Sequence, residues 1–221
     1  MKQKMTLKKL FRATKEFCQE ESKRDFPELL GITDGKAVGT FVEHRLKEYL
    51  LERYETIIGN SATGIDLPAE DINTDIKVTS IRQPQSSCPY KSSEQKIFGL
   101  GYNLLVLIYD KKDDEKASRL NFLNCTFVSE EKTADYTTTK RLMEMLNDGA
   151  IKEDIIAYFL DRNIPGDEIL LDRIADKVMQ GNLEQGYLTI SNALQWRLQY
   201  KRVISLENEV QGVLNYDVNK R

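Results

Sequence analysis

At 221 residues, with 40% hydrophobic and 30% charged residues and a formal net charge of −3, the chain has the composition of an ordinary soluble globular protein: one medium domain, or a core with a smaller appendage. The near-balanced charge excludes a globally basic polyanion binder, so any such surface has to be a local patch. Three scattered cysteines (Cys18, Cys88, Cys125) and a single histidine, His44, exclude a structural zinc set and leave little for a Ser-His-Asp or Cys-His nucleophile.

No apolar run is long enough to span a bilayer, and the basic start of the chain lacks the uninterrupted apolar stretch of a secretory signal, with Glu16, Glu20 and Glu21 following soon after. The cysteine usage fits a reducing, cytoplasmic setting. Helical spacing of Leu7, Leu10, Phe11, Ala13 and Phe17 predicts a first helix over Thr6 to Lys23. A glycine-containing loop, "FPELLGITDGKAVG", is expected next, with Thr40 capping a long helix from Phe41 to Ile58 on which His44 is a surface residue. Gly64 to Leu67 and Ile72 to Ile81 read as a β-hairpin. The polar segment "RQPQSSCPYKSS" then leads to a short helix capped by Ser92 or Ser93.

"LLVLIY", Leu104 to Tyr109, reads as a central strand covered on both faces, and Leu120 to Val128 as an outer strand. Beyond Ala134 the pattern turns helical: Thr137 to Leu146, Lys152 to Asp161, Asp167 to Met179, and the stretch "GYLTISNALQWRLQYKRVISL". The expectation is an α/β fold in which residues 1–130 form a core with a central mixed sheet flanked by helices, and residues 131–221 form a helical C-terminal subdomain.

The chemistry concentrates in "GIDLPAEDINTDIKVTS". Side chains two apart on a strand share a face, so Asp75 and Lys77 project together while Ile76 and Val78 pack the other side. A turn through "PAEDIN" brings Asp66 beside them, with Glu70 and Asp71 in the turn as alternative acids. Two carboxylates and an ammonium on adjacent strands make a hard, oxygen-rich site suited to Mg²⁺, and the backbone carbonyl of Ile76 lies near enough to add an oxygen.

Asp66, then Asp75-x-Lys77 on a strand, after a helix carrying Glu43, resembles the PD-(D/E)xK nuclease superfamily, which includes the type II restriction endonucleases. The resemblance covers roughly Gly39 to Asp110 and departs from the pattern in having Ile65, not proline, before the first acid. It implies a restriction-endonuclease-like core and hydrolysis of double-stranded DNA at a specific sequence by a metal-activated water. Asp66, Asp75, Lys77 and Glu43 would be the catalytic group. Asp66, Asp75 and the Ile76 carbonyl would hold Mg²⁺, with Glu43 contributing through a water. It also implies a homodimer, since two sites must face the two strands of a palindromic sequence. Repair, resolvase or transposon-end cleavage on the same core, or a non-catalytic DNA-binding regulator, are the competing readings. The absence of GxxxxGK[ST] excludes a motor-driven nuclease acting alone.

Two segments carry base-reading chemistry. One holds Arg82, Gln83, Gln85 and Lys91, Arg suiting guanine and Gln adenine. The other, Tyr187 to Arg202, holds Asn192, Gln195, Arg197, Gln199, Lys201 and Arg202 with no acid. It resembles a helix-turn-helix recognition helix with a β wing at Val203 to Tyr216, Trp196 being a core residue.

Overall fold

The structure, a computed structural model, describes residues 2–59, 64–191 and 196–219. In chain order its elements are β1 (Gln3–Lys4), α1 (Leu7–Glu21), β2 (Asp25–Phe26), α2 (Gly35–Arg53), β3 (Tyr54–Glu55), β4 (Thr74–Ser80), β5 (Gln85–Cys88), α3 (Glu94–Phe98) and β6 (Asn103–Asp113). There follow β7 (Ser118–Val128), α4 (Tyr136–Asn147), α5 (Lys152–Asp161), α6 (Glu168–Met179), β8 (Thr189–Ser191), β9 (Trp196–Gln199), α7 (Lys201–Ile204) and β10 (Val213–Asp217).

Packing divides the chain into two compact units: Met1–Pro84 with Tyr102–Val128 and Val203–Arg221, and Gln85–Gly101 with Ser129–Arg202. The division is not the single cut near residue 130 that a core followed by a helical tail implies. The physical reason is strand pairing: β10, from the end of the chain, returns to pair antiparallel with β7.

The first unit is built on a mixed sheet of order β10–β7–β6–β4, with β2 also on β7. β4 runs parallel to β6, and the other pairs are antiparallel. Residues Leu104 to Tyr109 of β6 are all buried, as the continuous apolar run requires. The two long helices supply Leu10, Phe17, Val42, Leu46 and Leu50 to a core shared with Ile76, Leu105, Leu107 and Phe122 of the sheet. α1 starts where expected, Thr6 Oγ1 accepting from the Lys9 amide at 3.3 Å.

α2 does not start at Thr40. Asp34 caps it, accepting from the Lys36 amide at 2.9 Å, and the "GKAVG" expected in a loop is its first turns. The helix also ends early, at Arg53, because Tyr54 and Glu55 pair with β1. Gly39 has a positive reason to be inside the helix: a Cβ there would lie 3.1 Å from the Val78 carbonyl oxygen of β4. The expected hairpin shrinks to one antiparallel bridge, Leu67 to Thr74, closed by two 3.0 Å backbone hydrogen bonds.

In the second unit α4, α5 and α6 enclose a separate core of Leu142, Ile155, Phe159, Leu171, Ile174 and Val178, with Ile97 from α3. Asp135 and Asp167 cap α4 and α6 through the Thr138 and Leu170 amides, each at 2.8 Å. This unit is not wholly helical. β5, β9 and β8 form a three-stranded antiparallel sheet, so the recognition-helix reading of Tyr187 to Arg202 is overturned. The sequence there alternates: Ile190, Trp196, Leu198 and Tyr200 are buried, while Arg197 is half-buried and Gln199 exposed between them. That is the period of a strand, and it outweighs the single helical repeat from Leu194 to Leu198. The wing expected at Val203 to Tyr216 is instead the last turn of α7 and then β10 of the central sheet.

Gly39→Val should lower the thermal midpoint by the equivalent of roughly 1–3 kcal/mol, the usual penalty for overpacking. Gly39→Ala should stay within about 1 kcal/mol, since the gain in helix propensity offsets a contact the Val78 carbonyl can relax. Equal stability of all three proteins in a denaturant titration would show that α2 does not depend on this close approach.

Candidate active site

Residues four apart on a helix share a face, so Gly39, Glu43 and Lys47 form one stripe of α2. Gly39 sits against β4 at Val78, and the stripe carries Glu43 and Lys47 along the same edge of the sheet. Among the described residues β4 is the terminal strand of that sheet, so one side of its backbone has no neighbouring strand beyond the single bridge from Leu67 to Thr74. Asp66, delivered by the Leu67–Thr74 bridge, fills part of that gap: its Oδ2 accepts from the Ile76 amide at 2.8 Å. The N–H and C=O of one strand residue point to the same side, so the Ile76 carbonyl also faces this edge.

Lys47 Nζ lies 2.6 Å from both Glu43 Oε1 and Asp66 Oδ1. Lys77 Nζ lies 2.6 Å from Asp75 Oδ2, on the face of β4 that the two-residue spacing assigns them. Asp75 is only 4% exposed although it sits on an edge strand. Glu43, Lys47, Asp66, Asp75 and Lys77 therefore form one partly buried group of three acids and two lysines.

Burial pushes the Asp75 carboxyl up to about 7; Lys77 opposes the rise, and Asp66 adds to it through a hydrogen bond and its charge. Burial acts the same way on Asp66, but hydrogen bonds from Asp75, Lys47 and the Ile76 amide outweigh it and hold Asp66 below the usual carboxylate range. Glu43 is raised, chiefly by burial, with Lys47 opposing. Burial works against the Lys47 ammonium, yet its bonds to Asp66 and Glu43 leave it raised overall. Their surroundings thus push the two acids apart, Asp66 down and Asp75 up, as expected of neighbouring acids in a group one positive charge short.

This donor set suits a hard cation. Among the described residues no cluster of three or more His, Cys, Asp or Glu side chains lies at ligand spacing. Mg²⁺ does not require one: it keeps several waters and takes one or two carboxylates. Asp66 and Asp75 meet that description, and the Lys47 ammonium already stands as a cation between Glu43 and Asp66. Of the alternative acids, Asp71 pairs with Lys4 at 2.8 Å and Glu70 is exposed, so Asp66 is the one that meets Asp75.

Lys47 is the member that the sequence analysis missed. Its only signal was the spacing to Glu43, which is also that of a common surface ion pair. The expected DNA-reading residues fall in several places. Arg82 and Gln83 are exposed in the turn after β4, Gln85 begins β5, and Lys91 is exposed before α3. Arg197 and Gln199 lie on β9. Lys201 is exposed, and Arg202 stacks 3.7 Å from the centre of the Tyr136 ring. Asn192 and Gln195 lie outside the described residues. Trp196 is in the core as expected, its indole N–H donating to Gln95 Oε1 at 3.1 Å.

A mixed α/β sheet with an acid–lysine group at its edge strand is joined by a second kind of finding: residues 4–215 match a family of type II restriction enzymes. That defines the class of the protein as a restriction enzyme and sets aside the reading as a non-catalytic regulator. A relative from Nostoc sp., the type II restriction enzyme NspV, is 51% identical over 200 residues, 90% of each chain. The chain belongs to the family described as type II restriction enzyme NspV. No solved structure matches it. Among the described residues no helix is long and apolar enough to cross a membrane.

The raised Asp75 carboxyl makes a signed prediction. An acid raised on folding contributes stability below its unfolded value, and that contribution is lost as pH rises through its folded value. In EDTA, the thermal midpoint of Asp75→Asn minus that of the unaltered protein should grow between about pH 4 and about pH 7, then level off. A difference independent of pH across that window would contradict the buried, protonated Asp75.

Proposed function

We propose that this chain is a Mg²⁺-dependent endodeoxyribonuclease of the PD-(D/E)xK superfamily that hydrolyses double-stranded DNA at a specific sequence, acting as a homodimer. The observation that carries this reading is the convergence of Asp66, Asp75, Lys77 and Glu43 at the outer edge of β4. Membership in a type II restriction enzyme family supports the substrate and the site-specific cut.

Asp66 and Asp75, with the carbonyl of Ile76, are the groups that would hold the cation, and Glu43 would reach it through a water. When bound, Mg²⁺ supplies charge neutralisation at the scissile phosphate and a lowered pKa for the attacking water. Asp75 must lose its proton to serve as a ligand, so affinity for the cation should rise as pH approaches neutrality. Lys77, on the same face as Asp75, would contact the phosphate and steer the water. Lys47 balances Glu43 and Asp66 and has to loosen its hold on Asp66 for that carboxylate to coordinate. A symmetric pair of such chains would present one site to each strand of a palindromic sequence.

Digestion of a DNA of known sequence with Mg²⁺, against an EDTA control, tests the reading. Discrete fragments are expected with Mg²⁺ and none with EDTA; a smear or intact DNA would overturn it. Lys77→Ala should cut at least about a hundredfold more slowly, and Asp75→Ala with Lys77→Ala should abolish cutting while gel-shift affinity for DNA persists.

A further inference from the structure

The three-stranded sheet of the second unit has two faces of opposite character. Its antiparallel register sets Gln85 opposite Gln199 and Gln199 opposite Thr189; one pleat along, Ser87 faces Arg197 and Arg197 faces Ser191. Directly opposed residues project to the same side, so these six side chains make two parallel rows on one face. The other face carries Cys88, Trp196, Leu198 and Ile190, all buried. The buried face fixes the register, because a slip of one residue would expose Trp196 and Leu198.

The outer rows hold two amides, three hydroxyls and one guanidinium, with no acid. Ser87 and Gln199 are exposed, and the other four are half-buried. A surface that grips phosphates needs several cations, and this one has a single Arg. A surface that reads base edges needs donors and acceptors of mixed kind, with Arg for guanine and Gln for adenine. Arg197 and Gln199 are two residues apart on one strand, about 6.8 Å. Two base-pair steps of B-form DNA advance by about the same distance. Sheet faces as well as helices are used to read DNA grooves, and this one presents its middle strand, β9, flanked by β5 and β8.

We propose that this outer face is the base-reading surface of the protein, β9 entering the major groove with Arg197 and Gln199 on base pairs two steps apart, and Gln85 beside Gln199. The proposal rests on the reading of the chain as a site-specific DNA endonuclease. It unites two segments far apart in sequence, one before α3 and one after α6, on a single sheet.

The test uses the full chain. The site is mapped from the fragments the unaltered protein produces, and binding is then measured by fluorescence anisotropy in EDTA on a duplex with that site and on a scrambled duplex. Arg197→Ala with Gln199→Ala should weaken binding to the site duplex by about a hundredfold, two base contacts at the usual cost per contact. Binding to the scrambled duplex should change by far less, and the circular dichroism spectrum should be unaltered. Unchanged affinity for the site duplex, or equal weakening on both duplexes, would overturn the proposal. If the unaltered protein cuts no DNA with Mg²⁺, the nuclease reading fails, and the face is tested instead by selecting bound duplexes from a random pool. A sequence preference that the double variant loses sustains the base-reading face; a pool that shows no preference overturns it.

Discussion

The close approach of α2 to the edge strand β4 is the constraint on which the candidate site depends. An edge strand exposes unpaired backbone on one side, and proteins cover such edges or use them. Here Gly39 lets the helix come against the Val78 carbonyl, and the next two turns bring Glu43 and Lys47 to the acids of β4 and the preceding bridge. A side chain larger than a methyl at position 39 would push the helix outward and carry Glu43 and Lys47 with it. The same edge leaves the Ile76 amide available to Asp66, so one backbone group orients the carboxylate that Lys47 also holds.

Three acids drawn together in a partly buried place repel one another, and the group answers that strain in two ways. Lys47 pairs with Glu43 and Asp66 and Lys77 with Asp75, and the Asp75 carboxyl is pushed up to about 7. Both are remedies for missing positive charge. A divalent cation held there would supply that charge and relax the repulsion, which would link its binding to deprotonation of Asp75.

The sequence analysis succeeded where local periodicity and packing agree. α1, α4, α5, α6 and the long strand β6 follow their apolar patterns, and the structure adds Thr6, Asp135 and Asp167 as caps. The pattern misleads at α2, where two glycines read as loop residues although Asp34 caps the helix and Gly39 serves a contact with a distant strand. The pattern misleads again at β8 and β9, where short strands lie beside a few helically spaced leucines; pairing with β5, far away in sequence, decides the outcome. That Asp66, Asp75, Lys77 and Glu43 lie together was legible from spacing and element order, while Lys47 resembled any surface lysine.

What the sequence by itself determined is the chemistry of the edge strand: alternation on a β-strand obliges Asp75 and Lys77 to share a face opposite Ile76, whatever surrounds them. Only the tertiary structure decided which acid joins them, that a lysine from α2 stands between Glu43 and Asp66, and that Gln85 and Arg197 belong to one sheet. These depend on which strand lies at an edge and how near a helix can come. Long-range pairing and close packing set both, and neither leaves a mark within a short window of sequence.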